Sequence, residues 1–197
     1  MKEIALTGKK RATTGKKATK ELRKEGLVPC NLYGEKKGEN GLPEALSFVA
    51  SFADLRKIVY TPDIYVVNVT IDGETHKAVL RELQFHPTTD ALLHVDMYEV
   101  NDTKDITIGI PVKLNGLAQG VRDGGKLQLQ IRKINVTAPY KQIPEVLNID
   151  VTNLELGKSI KVGQLSFDGL KIATSPEVVV CSVKATRASR SAAAAAE

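Results

Sequence analysis

At 197 residues the chain can bury one large core or two modest ones, and its 42% hydrophobic and 26% charged content excludes extended disorder outside the ends. The net charge is +5, yet residues 1–34 alone carry nine Lys and Arg against three Asp and Glu, so +6 sits there and the other 163 residues sum to −1. The N-terminus has no apolar signal core, no stretch approaches a membrane span, and Cys30 and Cys181 form no CxxC or disulfide framework, so a soluble cytoplasmic protein is expected.

In chain order, KEIALTG starts a strand with Ile4 and Leu6 on one face, and KKRATTG follows as a basic loop. Thr13 or Thr14 is expected to cap a helix beginning near Gly15, and Gly26 to end it. LVPCNLYG reads as a buried strand, with Pro29 arguing for an edge position or a strand start. EKKGENGLPE is expected as an exposed loop, and SFVASFADLRKIVY as a strand end and a short helix with Phe52, Leu55 and Val59 at helical spacing. The clearest local signal lies in DIYVVNVTIDGETHKAVLRELQF, where two alternating runs flank an Asp-Gly turn. After the loop HPTTDA comes the strand LLHVDMYEV, with Leu93, Val95 and Met97 on one face and His94, Asp96 and Tyr98 on the other.

NDTKD at residues 101–105 reads as a domain boundary. Beyond it, short β-rich runs alternate with Gly, Pro and Asn up to about residue 186, which predicts a second, mostly β domain of near-neutral charge. The expected organisation is thus mainly β with some helix (α+β): domains at 1–100 and 101–186, then a low-complexity tail at 187–197.

The basic stretch GKKATKELRKEG can be placed on a helix at ~100° per residue. Lys16, Lys17, Lys20, Arg23 and Lys24 then fill one arc, Glu21 and Glu25 fall on its flank, and the apolar stripe is only Ala18 and Leu22 wide. Lys17–Glu21 and Glu21–Lys24 pairs would explain part of this as an ordinary exposed helix, at ~0.2–0.5 kcal/mol each. They leave Lys16, Lys20 and Arg23 repelling one another, a repulsion that a phosphate backbone relieves. Gly15 also lets a backbone approach the helix N-terminus, where unpaired N–H groups favour anions.

QFHPTTDALLHVDM adds His86, His94 and Asp96. One reading is a non-haem iron site built from His94, Asp96 and His86 or His76, serving an oxygenase. A second is a solvent-facing turn. A third is recognition of nucleic acid, in which imidazole and carboxylate read base edges or 2′-hydroxyls. Tyr33 and Tyr98 would offer a stacking face or pack half-buried with a wet tip.

Together, RATTGKKATKELRKEGLVPCNLYG and QFHPTTDALLHVDMYEV strongly resemble the 5S-rRNA-binding protein family of the bacterial large ribosomal subunit. With IPVKLNGLAQGVRDGGKLQLQIRKINVTAP and IPEVLNIDVTNLELGKSIKVGQL, the resemblance narrows to its long form, the general stress protein CTC family. It implies an N-terminal β-barrel with helices that binds 5S rRNA through the minor groove, no catalysis, and no cofactor or metal. By motif it implies RNA contacts from Arg11, Lys16, Thr19, Lys20, Arg23, Tyr33, Gln84, His86, His94 and Asp96. The cations would hold phosphates, and His94 and Asp96 would read the groove. The partners implied are 5S rRNA and the large subunit, with neighbouring ribosomal proteins or 23S rRNA open as contacts of the C-terminal domain. A nucleic-acid-binding stress protein outside the ribosome is the other non-enzymatic reading. Cys30 stands where the family usually has Ala, Met97 where it commonly has Phe, and Lys20 and Glu21 where Arg or small residues are frequent.

Overall fold

The structure, a computed structural model, describes residues 1–34, 44–102 and 104–187. Nearly all of the expected loop at 35–44 and of the low-complexity tail lies outside the described residues. The chain divides into two compact units after Lys104.

The first unit contains β1 (Lys2–Lys10), α1 (Lys16–Lys24), β2 (Leu27–Tyr33), β3 (Leu46–Ser51), α2 (Phe52–Val59), β4 (Tyr65–Ile71), β5 (Glu74–Phe85) and β6 (Leu92–Glu99). The six strands close into a barrel in the order β1-β3-β2-β6-β5-β4, which leaves no open sheet edge. β1 and β4 pair in parallel, as do β2 and β6; the other neighbours are antiparallel. Alternation fills the interior. Leu6, Val28, Cys30, Leu32, Phe48, Val67, Val69, Val95 and Met97 point inward, and Leu55 and Ile58 of α2 pack against them. Burial holds the Cys30 thiol up at about 12, so it behaves as a small apolar side chain. The β4–β5 turn is the expected tight hairpin, with Asp72 at φ 50 and Gly73 at φ 97.

Several local expectations shift. Neither Thr13 nor Thr14 caps α1: the N-cap is Gly15, without a side-chain bond, and the Thr19 hydroxyl donates back to the Gly15 carbonyl at 2.6 Å. Ser51 caps α2, whose buried stripe is Leu55 and Ile58, while Phe52 stays 37% exposed. On β6 it is Leu92, not Leu93, that enters the core, because the register breaks between Gln84 and Phe85 and sets Phe85 opposite Leu92. Pro29 sits inside β2, but pairing with β6 begins only at Cys30, so the strand is one-sided at the proline.

The second unit begins at Asp105. It contains β7 (Asp105–Asn115), α2's short successor α3 (Gln119–Arg122), β8 (Lys126–Leu129), β9 (Lys133–Pro139), β10 (Leu147–Asp150), β11 (Ser159–Lys161), β12 (Lys171–Ile172) and β13 (Val179–Lys184). One sheet runs β10-β7-β9-β12 and another β11-β13-β8. Its core holds Ile110, Ile134, Val136, Leu147, Ile149, Val180, Cys181 and Val183. Gly120 is required here: a Cβ would stand 2.5 Å from the Leu156 backbone nitrogen.

Candidate nucleic-acid interface

α1 fully buries none of its residues, although Ala18 and Leu22 are half-buried on its inner side. Polar contacts add to that packing. The Arg23 guanidinium donates from Nε (3.2 Å) and Nη2 (2.9 Å) to the Leu93 carbonyl of β6. Arg11 Nη2 donates to the Thr13 carbonyl at 3.3 Å and to Thr19 Oγ1 at 3.5 Å. The forked planar group suits Arg23 to this bond, which a lysine could not reproduce. The outcome is a basic helix held beside one outer strand face.

That face belongs to β2, β5 and β6. Antiparallel and parallel registers bring Asn31, Asp96 and Glu82 into one row, and Gln84 lies opposite His94. His94 Nδ1 and Asp96 Oδ1 are 3.4 Å apart, with side chains 18% and 21% exposed. Burial lowers the His94 pKa, Asp96 opposes this, and Arg11 and Arg23 add to it. The imidazole is therefore neutral at pH 7, held between a carboxylate and two guanidinium groups. Tyr33 and Tyr98 meet edge to face, 5.9 Å between centroids, one step along the same strands. Burial raises the Tyr33 pKa, with a further push from Asp96, so its hydroxyl stays a donor.

The structure thus gathers Arg11, Thr19, Arg23, Gln84, His94 and Asp96, with Tyr33 alongside. Lys16 and Lys20 lie exposed on α1. The pairs expected to quiet the helix do not form: among the described residues, Lys16, Lys17, Lys20 and Lys24 make no ion pair. Arg23, expected on the phosphates, also turns its Nε and Nη2 onto the β6 backbone. His86 stands apart. Its Nδ1 faces the Thr88 hydroxyl at 3.1 Å, and its backbone closes the loop onto Asp90 and Ala91. Accordingly the set His86, His94 and Asp96 does not converge, and among the described residues no three His, Cys, Asp or Glu are grouped to hold a metal. His76 faces Glu99 instead, at 2.9 Å.

Sequence reasoning passed over Asn31 and Ser47. Asn31 lies beside Asp96 in register, and its Oδ1 accepts from Ser47 Oγ at 3.0 Å. The available signal was Asn31 itself, an amide between the buried Cys30 and Leu32 on an otherwise apolar strand.

A closed barrel bearing a basic helix, followed by a β-rich second unit, is an architecture that the comparisons with known proteins assign to structural, non-enzymatic ribosomal proteins. The Ribosomal L25p family model matches residues 6–97, and the model for the ribosomal protein TL5 C-terminal domain matches residues 105–187. The large ribosomal subunit protein bL25 of Phocaeicola vulgatus is 56% identical over 98% of this chain and 98% of its own length. That of Bacteroides thetaiotaomicron is 50% identical over 100% of this chain and 96% of its own, and that of Porphyromonas gingivalis 47% over 98% of each. The chain belongs to the bL25 family of large ribosomal subunit proteins, in its two-domain form. Family membership places it in the cytoplasmic ribosome; no described helix is long and apolar enough to cross a membrane.

Proposed function

We propose that this protein binds 5S rRNA within the large subunit, with α1 and the loop before it on the phosphates and the His94–Asp96 strand in the minor groove. The observation that carries this reading is the Arg23 fork onto the Leu93 carbonyl, which holds a cationic helix next to the strand that presents His94 and Asp96 together. The naming of 5S rRNA rests on the resemblance carried by the two N-terminal segments. Lys16 and Lys20 are the phosphate ligands, Arg11 and Thr19 set the loop, and Asp96 and His94 discriminate. A-form RNA suits such a face because its minor groove is wide and shallow. Arg23 acts as a positioning residue.

The test is equilibrium binding of the full chain to purified 5S rRNA across a salt series. Replacing both Lys16 and Lys20 with Ala is expected to reduce the slope of log affinity against log salt by about 1.4 to 1.8. An unchanged slope removes α1 from the interface.

A further inference from the structure

The −1 charge left after residue 34 hides two opposed blocks. Residues 35–104 carry seven Lys and Arg against twelve Asp and Glu, a net of −5, whereas residues 105–187 carry eleven against seven, a net of +4. The second unit is therefore basic, not near neutral.

Part of that excess lies on one sheet face. β8 and β13 pair antiparallel, with Lys184 directly opposite Lys126 and Ser182 opposite Gln128. Ser159 of β11 extends the second row. Directly opposite residues share a face, and these point away from the core, since Lys126, Gln128 and Lys184 are exposed while Cys181 and Val183 on the alternate face are buried. Gln130 Nε2 donates to Ser182 Oγ at 3.2 Å and continues the polar surface. The segments that build this sheet, 124–133, 156–161 and 178–187, contain no Asp or Glu. Lys126 and Lys184 make no ion pair among the described residues. Like charges directly opposite each other weaken a sheet. Here that arrangement is kept: Glu177, just before β13, is paired with Lys161 of β11 at 2.7 Å, and no ion pair joins a carboxylate to Lys126 or Lys184 among the described residues.

We infer that the outer face of β11-β13-β8 is a second RNA contact surface, taking the sugar–phosphate backbone between Lys126 and Lys184, with Gln128 and Ser182 hydrogen-bonding beside it. Charge complementarity selects a polyanion. The composition selects RNA over a protein partner, because protein interfaces are depleted in Lys at their core and anchored by aromatic or apolar residues, and this face offers none. The inference goes beyond the 5S rRNA reading and does not depend on it, since the surface lies in the other unit.

Large subunits lacking this protein, reconstituted with the purified full chain, provide the test. Retention is measured by sedimentation across a KCl series for the parent and for Lys126→Gln/Lys184→Gln. The slope of log affinity against log salt is expected to fall by about 1.4 to 1.8. A second variant separates folding from binding. Lys184→Glu places an opposite charge across from Lys126, so the free protein is expected to melt at a higher temperature while its retention weakens more than that of the double Gln variant. A photo-crosslinker at position 128 is expected to yield a product shortened by ribonuclease. Unchanged slopes in both variants, or a crosslink to protein, would overturn the assignment. Loss of α1 binding to free 5S rRNA is a separate measurement and would leave this one standing.

Discussion

His94 is neutral for a reason that lies in its surroundings. Burial holds its pKa below the ordinary 6.5, Arg11 and Arg23 push the same way, and Asp96 and Glu82 push back. The unfolded chain takes up a proton near pH 6.5 and the folded chain only at lower pH. Stability linked to His94 is thus intact above that value and declines as pH falls through the window beneath it. Asp96→Asn removes the stronger opposing carboxylate, so the imidazole is expected to titrate lower still, as followed by NMR; an unmoved or raised midpoint would break the coupling. The same change is expected to cost about tenfold or more in the preference for 5S rRNA over an unrelated duplex, the scale of one lost base-edge contact of ~1–3 kcal/mol. Equal weakening on both nucleic acids would deny Asp96 its reading role.

At the level of elements, α1 packs only the half-buried Ala18 and Leu22 and is tied down by polar contacts. It adds to that thin stripe the Arg23 fork and the Arg11–Thr19–Gly15 chain of bonds. Arg23→Ala is expected to speed amide exchange across Ala18–Lys24 while lowering global stability by only about 1 kcal/mol, the net worth of a typical hydrogen bond, because solvent competes for this exposed group. Arg23→Lys is expected to behave almost the same, and Lys20→Ala to leave exchange unchanged; slow exchange in Arg23→Ala would mean that something else holds the helix. This anchor was not legible in the sequence. A helical wheel places Arg23 within the basic arc, but its distance from Leu93 in the chain, seventy residues, is bridged only by barrel closure. Local signals fared better. Asp72-Gly73 turns where expected, because two adjacent positive φ values need those residue types. The β6 inward face shifted from Leu93 to Leu92 because alternation cannot foresee a bulge within β6, where the step from Leu92 to His94 faces the single step from Phe85 to Gln84.

Across the whole molecule, charge is segregated along the chain into +6, −5 and +4 blocks over residues 1–34, 35–104 and 105–187. The first was visible as a run of cations in sequence. The third was not, because its lysines are scattered and meet only when β8 and β13 pair. Within the first unit, most cations precede most acids in the chain, and two acids are occupied by cations: Asp63 by Lys2 at 2.7 Å and Asp54 by Lys57 at 3.6 Å. The exposed cations of α1 are left to act at a distance. Such charges steer the encounter as well as neutralising phosphates in the final complex, where they stay partly solvated. In stopped-flow binding to 5S rRNA at ~100 mM KCl, Lys16→Ala/Lys20→Ala is therefore expected to slow association about tenfold, at the low end of electrostatic steering, with dissociation changed much less. If the loss fell mainly on dissociation, these lysines would be desolvated in the complex, and the steering role would pass to the loop around Arg11.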